Sequence, residues 1–352
     1  MEVRPSNWTL FQALMQSTFW LAYQDAPSVH ASIAKPVPCG TRFYNEAWMG
    51  RFPRPRHWEG SRVVHTPGPM TYQVDVMAGL KENTVGLDLY ELKNDVYGVL
   101  GQTVPNLASN AKQDKDWELR DLIEGLGAQT GAAQLGTDQL YHWGGPNSGS
   151  GNTTGHPIDF YDPSAGYYPN DYGANGTTIN GILVGGALTA NAFATVRADM
   201  RNRKAETGEP MGIVPDLLMV ATQNEYVSDT ILQAVFLGLS QIGTMGGGDA
   251  PTAGSLNPAN SPMVGASSNL LRGKCQQLTW EALYANPAAW CLLHTRGPVK
   301  PFQIVTNEEY ALTVRSSPTD PIVWDTHTVQ MGIVGVFQPT WAPPFLSSRS
   351  GI

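Results

Sequence analysis

Between Leu89 and Leu126 the apolar residues Val96, Leu100, Val104, Leu107, Ala111, Leu119, Leu122 and Leu126 recur at steps of three or four, or multiples of them. That is the spacing of one face of an α-helix. Lys112, Asp114, Lys115, Asp116, Glu118, Asp121 and Glu124 fill the remaining surface. The pattern predicts a long helix that Asn94 caps and Gly125 or Gly127 ends. At ~1.5 Å per residue it would run on the order of 50 Å. Pro105 lacks an amide hydrogen, so a kink or break is expected there. A helix with one apolar stripe needs a sheet or a neighbour to cover it.

Upstream, Trp8, Phe11, Met15, Phe19 and Ala22 share one face of an amphipathic helix over Trp8–Tyr23. It would pack in the core or on a neighbouring subunit. The proline-bearing Gln24–Pro38 reads as extended. Ser61–Leu89 carries Val63, Val64, Tyr72, Val74, Val76, Thr84 and Val85, with turn signals at Pro67-Gly68 and Ala78-Gly79. This predicts two or three strands of a projecting hairpin. A lone two-stranded ribbon is marginal in water, so it would be stabilised by docking on something.

Downstream, Gly127–Gly186 is rich in Gly, Asn, Tyr and Thr without clear period, an irregular insertion with a few short strands. Leu188–Arg203 predicts a helix with Thr189 as N-cap, Ile213–Thr222 a buried strand, and Tyr226–Gly238 a second helix. Thr244–Ser268 reads as a loop, in which Gly246-Gly247-Gly248-Asp249 is a weak candidate for cradling an anion. Gln276–Leu283, Trp290–His294, Pro301–Thr306 and His327–Phe337 read as strands. Helices and strands alternate without a regular βαβ beat, which points to an α+β fold.

Composition sharpens this picture. The chain has 352 residues, enough for one large or two ordinary domains. Only 15% are charged, against about 25% in typical soluble domains. The 37 Gly and 26 Pro make about 18% of the chain, against roughly 12% on average. Ten Trp and thirteen Tyr accompany this poverty of charge. Two readings follow: a loop-rich globular protein, or a subunit that hides its surface against copies of itself. The net charge of −8 argues against gripping nucleic acid, although not against a shell around it. Cys39, Cys275 and Cys291 form no CxxC pair and read as thiols in a reducing compartment. Neither a signal peptide nor a membrane-spanning run is visible.

One local exception to the acidity stands out. Arg51, Arg54, Arg56 and Arg62 lie within twelve residues, among Trp48 and Trp58. Nucleic acid is one partner for such a run. A carboxylate-rich face of a neighbouring copy fits better, because Arg pairs bidentately with carboxylates and stacks on rings. Asp114, Asp116 and Glu118 on the long helix supply such a face, although the same residues also read as ordinary solvation or helix support.

The search for catalytic patterns finds no GxSxG, HExxH, P-loop or GxGxxG motif in context. His142 and His156, with Asp159 and Asp162, could meet a metal but read more simply as loop residues. No catalytic, cofactor or metal residue is assigned. A second function class remains open: a carbohydrate-binding protein or hydrolase using Tyr141, Trp143 and the Tyr161–Tyr172 cluster as a sugar platform.

Several segments resemble a known family in a shared order. Trp48-Met-Gly-Arg-Phe-Pro and Arg56-His-Trp-Glu-Gly60, with Arg62, resemble the Trp- and Arg-bearing segment of the Mu-type phage major head protein family. Leu92-Lys-Asn-Asp-Val-Tyr-Gly98 resembles the start of its long helix. Leu188-Thr-Ala-Asn-Ala-Phe with Met200, then Gly208-Glu-Pro-Met-Gly-Ile-Val-Pro215, is similar to its helix–turn–strand unit. Trp290-Cys-Leu-Leu with Val299-Lys-Pro-Phe302 resembles a later strand pair. The family's Tyr-Asp-Gly turn has its nearest match at Tyr161-Asp162-Pro163, inside the insertion.

The resemblance implies the Hong Kong 97-type capsid fold. Its parts would be an N-terminal arm (1–49), an extended β-hairpin loop (50–91), a peripheral domain with a spine helix (92–140), an axial domain with the insertion (141–300) and return strands of the peripheral domain (301–352). It implies a non-enzymatic major capsid protein. Such a protein self-assembles as hexamers and pentamers into the icosahedral head of a tailed bacteriophage, around double-stranded DNA bound without sequence specificity. Portal and scaffold proteins, with decoration proteins where a head carries them, are the implied partners, with no cofactor and no membrane. No long charged coiled-coil leader is visible, so scaffolding would come from another protein or a removed segment. The expected contacts between subunits are Arg51, Arg54, Arg56, Trp58 and Arg62 on the Asp114, Asp116 and Glu118 face of a neighbour, and no cross-link is expected through Lys81.

Overall fold

Pro105 decides where the long helix begins. It is the third residue of a helix that runs Thr103–Glu124, in the first turn, where amides have no intrahelical acceptor. A 3-10 turn, Leu100–Gln102, precedes it. The expected break therefore falls just before the proline, and the helix has 22 residues, ~33 Å at 1.5 Å each. Asn94 does not cap it. Its amide and side chain donate to Tyr90 O (3.1 and 2.9 Å), while Asp88 Oδ1 accepts from the amides of Tyr90 and Glu91 (2.6 and 3.2 Å).

The computed structural model describes residues 8–49, 57–58, 60, 70–88, 90–91, 94, 100–124, 143, 156–157, 167–173, 177–179, 182–184, 186–205, 209–238, 266–317 and 320–351. In chain order these form α1 (Trp8–Asp25), α2 (His30–Ile33), β1 (Ala34–Pro38), β2 (Phe43–Met49), β3 (Met70–Met77), β4 (Gly79–Asp88) and α3, the long helix (Thr103–Glu124). Short strands follow: β5 (His156–Pro157), β6 (Tyr167–Tyr168), β7 (Thr177–Ile179) and β8 (Ile182–Val184). Then come α4 (Ala190–Asn202), β9 (Leu217–Val220), α5 (Glu225–Gln233), β10 (Phe236–Gly238), β11 (Ala266–Ser268), β12 (Gln276–Thr279) and β13 (Trp290–Leu293). The chain closes with β14 (Phe302–Arg315), α6 (Pro321–Thr326), β15 (Thr328–Trp341) and β16 (Ser347–Ser350). The chain divides into two units, each made of three separate segments.

The first unit comprises Met1–Tyr44, Val76–Leu119 and Gln303–Thr340. Its sheet has the order β1-β14-β15-β4. β15 and β4 are antiparallel over ten residue pairs, from Thr328↔Asp88 to Phe337↔Gly79. β15 alternates, with Val329, Met331, Ile333 and Phe337 buried and Val334 exposed. On α3, Val104, Leu107, Ala108, Ala111 and Leu119 are buried at helical spacing, as the sequence pattern predicts. Gly335 makes room for an aromatic ring: a Cβ there would lie 2.9 Å from Tyr310 Cδ1. β3 pairs with β2 in a two-stranded sheet. The expected hairpin is thus corrected. β4 leaves the ribbon to join the larger sheet, where it can bury Leu87, and Ala78 N and O are held by Arg42 O and Nε (2.9 and 3.2 Å).

The second unit comprises Asn45–Asp75, Arg120–Phe302 and Trp341–Ile352. Its sheet has the order β12-β9-β13-β16. β12 runs parallel to β9, and β13 is antiparallel to both β9 and β16. α4 begins where expected, with Thr189 accepting from Ala192 N at 3.1 Å. Its Phe193, Val196 and Met200 join Tyr172, Leu218, Val220, Ile231, Trp290 and Leu292 in the core. Two expectations change here. The helix expected over Tyr226–Gly238 ends at Gln233, because Phe236–Gly238 pairs with Ala266–Ser268. The stretch expected to return to the sheet of the first unit does so only to Thr340, because β16 pairs with β13. Gly351 closes this end at φ +79°, and a Cβ there would lie 2.3 Å from Ala288 O.

Candidate functional site

The charged residues of α3 read in the sequence as a solvated face, but the structure gives each of Lys112, Asp114, Lys115, Asp116, Glu118, Asp121 and Glu124 a partner within the chain. Asp116 is only 8% exposed. It accepts from the amides of Val29 and His30 (3.0 and 2.8 Å) and lies 2.7 Å from His30 Nδ1, so it anchors the start of α2. Asp114 Oδ2 accepts from the Tyr310 hydroxyl at 2.6 Å. Burial, reinforced by that carboxylate, pushes the Tyr310 pKa up. Lys115 donates to both Glu309 oxygens (2.9 and 2.6 Å) and lies 5.6 Å above the Phe337 ring. Glu118 pairs with Lys81 of β4.

Of the three carboxylates named as contact candidates, Asp114 and Glu118 keep partial exposure. Asp114 lines a cavity of about 360 Å³ whose walls also include Trp117, Glu82, Asn110, Gln113 and Lys81, the partner of Glu118. Trp117 is 42% exposed. Of the basic segment, Trp58 is exposed, and Arg51, Arg54, Arg56 and Arg62 lie outside the described residues. α1 has apolar residues on two sides. Phe19 is buried and stacked on Tyr23 (5.9 Å), as expected for one face, while Leu10, Leu14 and Leu21 form a second, exposed stripe.

The second unit overturns the sugar platform. Trp143 is buried, edge-on to Trp341 at 5.6 Å, with Phe302 at 6.5 Å. The Arg349 guanidinium lies 4.8 Å over its ring. Tyr172 is fully buried and donates to Asp199 Oδ2 at 2.8 Å. Tyr141 and Tyr161 lie outside the described residues. Neither described ring is open to a glycan, because each is needed to cover the core.

Two arginines that sequence reasoning missed organise this unit. Arg349 donates to Ile123 O (2.6 Å) and to Asp171 Oδ2 (2.7 Å), both groups buried. Arg203 donates to the carbonyls of Phe345, Ser347 and Pro169 and to Ser348 Oγ at 2.6–3.1 Å. A polar strand, Ser347–Ser350, is thereby fully buried. The partners on the last strand lie over a hundred residues from Arg203, and both partners of Arg349 lie over a hundred residues from it, so local spacing does not betray these contacts.

Among the described residues no group of three or more His, Cys, Asp or Glu could hold a metal ion. His156 falls in β5, while His142, Asp159, Asp162 and the Gly246–Asp249 loop lie outside those residues. No helix among them is long and apolar enough to cross a membrane. All three cysteines are free, and burial pushes the thiol of Cys291 up to about 12 and that of Cys275 up to about 11.

Comparison with known proteins supplies the context for these surfaces. Residues 9–132 match the family model described as Mu-like prophage major head subunit gpT. The major capsid protein of Escherichia phage Mu is 25% identical over 116 residues, which are 33% of this chain and 37% of that protein. The chain thus spans little more than a third of the curated relative it matches. A solved chain from the procapsid of bacteriophage JBD30 aligns over 99% of this chain and 76% of its own length, with a TM-score of 0.50 and 17% identity. A virus-like particle from Pyrococcus furiosus aligns over 97% and 99%, at TM-score 0.46 and 9% identity. The resemblance to Mu-type head proteins is found in the first third of the chain, and the fold is the α+β capsid fold expected with it.

Proposed function

We propose that the chain is a major capsid protein of a tailed bacteriophage, a structural subunit that assembles with copies of itself into an icosahedral head around double-stranded DNA. The observation that carries this reading is the coincidence of the head-protein match over residues 9–132 with a fold likeness over 99% of the chain. Its place is the virion, and its role is structural rather than catalytic. The first unit would be the peripheral domain, with α3 as spine, and β2–β3 would be the base of the extended loop. The second would be the axial domain. Portal and scaffold proteins, and decoration proteins where a head carries them, would complete the particle.

The surfaces support self-assembly. Leu10, Leu14 and Leu21 leave an apolar stripe on α1, which a neighbouring copy would cover. The basic run Arg51, Arg54, Arg56 and Arg62 with Trp58 would dock on the neighbour's acidic α3 face. Asp116 is already occupied within the chain. Asp114 and Glu118 hold Tyr310 and Lys81 but stay partly exposed, so they and the cavity beside Trp117 would be its receiving side, with Glu82 adding charge at the rim.

Light scattering and negative-stain microscopy on the chain, expressed alone and with its neighbouring genes, test the reading. Shells or capsomer-sized rings are expected. A persistent monomer under both conditions would sink it. Arg54→Glu combined with Arg56→Glu is expected to abolish rings while leaving the monomer folded, and normal assembly would remove the docking contact.

A further inference from the structure

A concavity at one end of the second unit's sheet carries a charge opposite to that of the chain as a whole. It lies beside the start of β9, where Val214, Pro215 and Asp216 meet Lys274, Cys275, His294 and Arg296. Its volume is about 450 Å³, within the usual range of small-molecule sites, about 300–1,000 Å³. Over the whole sequence, 30 acidic residues outnumber 22 Lys and Arg. Here the balance reverses.

Among the described residues Asp216 is the one carboxylate in the lining, and its oxygens are engaged within the turn. It is 9% exposed, and its two oxygens accept from Thr295 N and Thr295 Oγ1 at 2.6 and 2.7 Å. It thereby fixes the turn that presents Arg296. The Arg296 Nε and His294 Nδ1 lie 3.7 Å from it, ion-pair rather than hydrogen-bond distances. His294 Nδ1 is taken up at 2.7 Å by Val214 O. The Arg296 side chain is 72% exposed, and Lys274 is exposed beside it. Among the described residues the Lys274 ammonium has no ion-pair partner.

Arg197 of α4 adds a third permanent cation behind the wall. It acts on the Cys275 thiol, and its buried Nε has no hydrogen-bond partner. In the lining Lys274 and Arg296 outweigh Asp216 by one charge, and Arg197 adds to that from behind the wall. Arginine forks match the oxygens of a tetrahedral oxyanion, and a flexible lysine closes on it as a point charge.

We propose that this concavity binds a phosphate group. A wall in which an arginine fork and a lysine outnumber the one, already engaged, carboxylate matches the several oxygens of a phosphate better than a single carboxylate. The phosphate could come from free orthophosphate or from a nucleic-acid backbone, which the test separates. The site lies within one chain, so it stands apart from the assembly reading and can be measured on unassembled protein.

The test uses the full chain at neutral pH and low salt. Binding of radiolabelled orthophosphate is read by equilibrium dialysis, and binding of a short labelled DNA duplex by fluorescence anisotropy. Saturable phosphate binding is expected, with Lys274→Gln plus Arg296→Gln weakening it about tenfold, the loss of charge-assisted hydrogen bonds. Lys112→Gln, far along the sequence in α3, should leave it unchanged. Duplex binding that depends on the same two residues, with orthophosphate ignored, also supports the site and assigns it to the nucleic-acid backbone. Lys274→Gln alone, at an exposed position, keeps the test informative if the double variant unfolds. The proposal is overturned if neither phosphate source binds, if the variants bind as the parent does, or if succinate binds as tightly as phosphate.

Discussion

Lys115 and Arg349 each meet a carboxylate, at 2.6 and 2.7 Å, and the two pairs have little else in common. Lys115 is tucked away, but its partner Glu309 is 53% exposed. Arg349 and Asp171 are 5% and 0% exposed. In the first unit, charge sits on the flank of a helix lying over a sheet, and water still reaches one partner. In the second, charge is driven inside and every neighbouring group must answer it. Water-accessible pairs stabilise little and can be rearranged, whereas a buried pair that loses one member leaves a stranded ion. The difference teaches which unit can trade contacts with a neighbour and which must hold its shape alone.

The sharpest way to break this contrast is Arg349→Ala. It strands Asp171 and Ile123 O and is expected to cost about 3–5 kcal/mol, read as a lower urea midpoint. Adding Asp171→Ala should recover part of the loss. A midpoint that hardly moves would mean the pair is not the keystone of the second unit. Next comes Asp116→Ala, which removes the acceptor at the start of α2. A loss of about 1–2 kcal/mol is expected, as for other helix-start caps, with faster proteolysis of α1 as the accompanying sign. Lys81→Ala should sit lower still, at about 0.2–1 kcal/mol, since both it and Glu118 are partly exposed. A cost matching that of Arg349→Ala would erase the contrast.

The smallest effect concerns Glu124, in the last turn of α3. Its side chain is buried; Asn286 donates to Oε1 at 3.2 Å, while Oε2 accepts no hydrogen bond and lies 3.8 Å from Arg120 Nε. Burial raises its pKa, and Asn286 and Arg120 pull it part of the way back. A carboxyl with a raised folded-state pKa favours folding while it is protonated. That contribution is present below the ordinary carboxylate range and is lost as pH rises through the raised value. Glu124→Gln should therefore be more stable than the parent at neutral pH, and the gap should close on acidification. A gap constant with pH would show that ionisation of Glu124 is not its source.

What the sequence disclosed follows the same division. The stripe along α3, the Thr189 cap of α4 and the buried run Leu217–Val220 were all legible, because each is written within a few consecutive turns or strand residues. β16 was not. Ser347-Ser348-Arg349-Ser350 looks like a polar tail, and only Arg349 meeting Asp171, 178 residues upstream, makes its burial affordable. Trp143 misled for the same reason. An aromatic residue in a Gly-rich stretch reads as surface until the guanidinium and Trp341 that cover it are known. The α3 carboxylates fell between, since their helical spacing was visible but not their partners Tyr310, His30 and Lys81.

The interleaving of segments has a consequence for synthesis on the ribosome. The first unit needs Gln303–Thr340, yet Arg120–Phe302, 183 residues, must emerge after α3 has begun. At about 5–20 residues per second that is roughly 10–40 s. During that interval the apolar stripe of α3 waits for β14 and β15, while the sheet of the second unit still lacks β16. The nascent chain is thus exposed at β1, β4 and the helix that later carries the first unit, and slow translation of the middle segment should increase its capture by chaperones or its loss to aggregation.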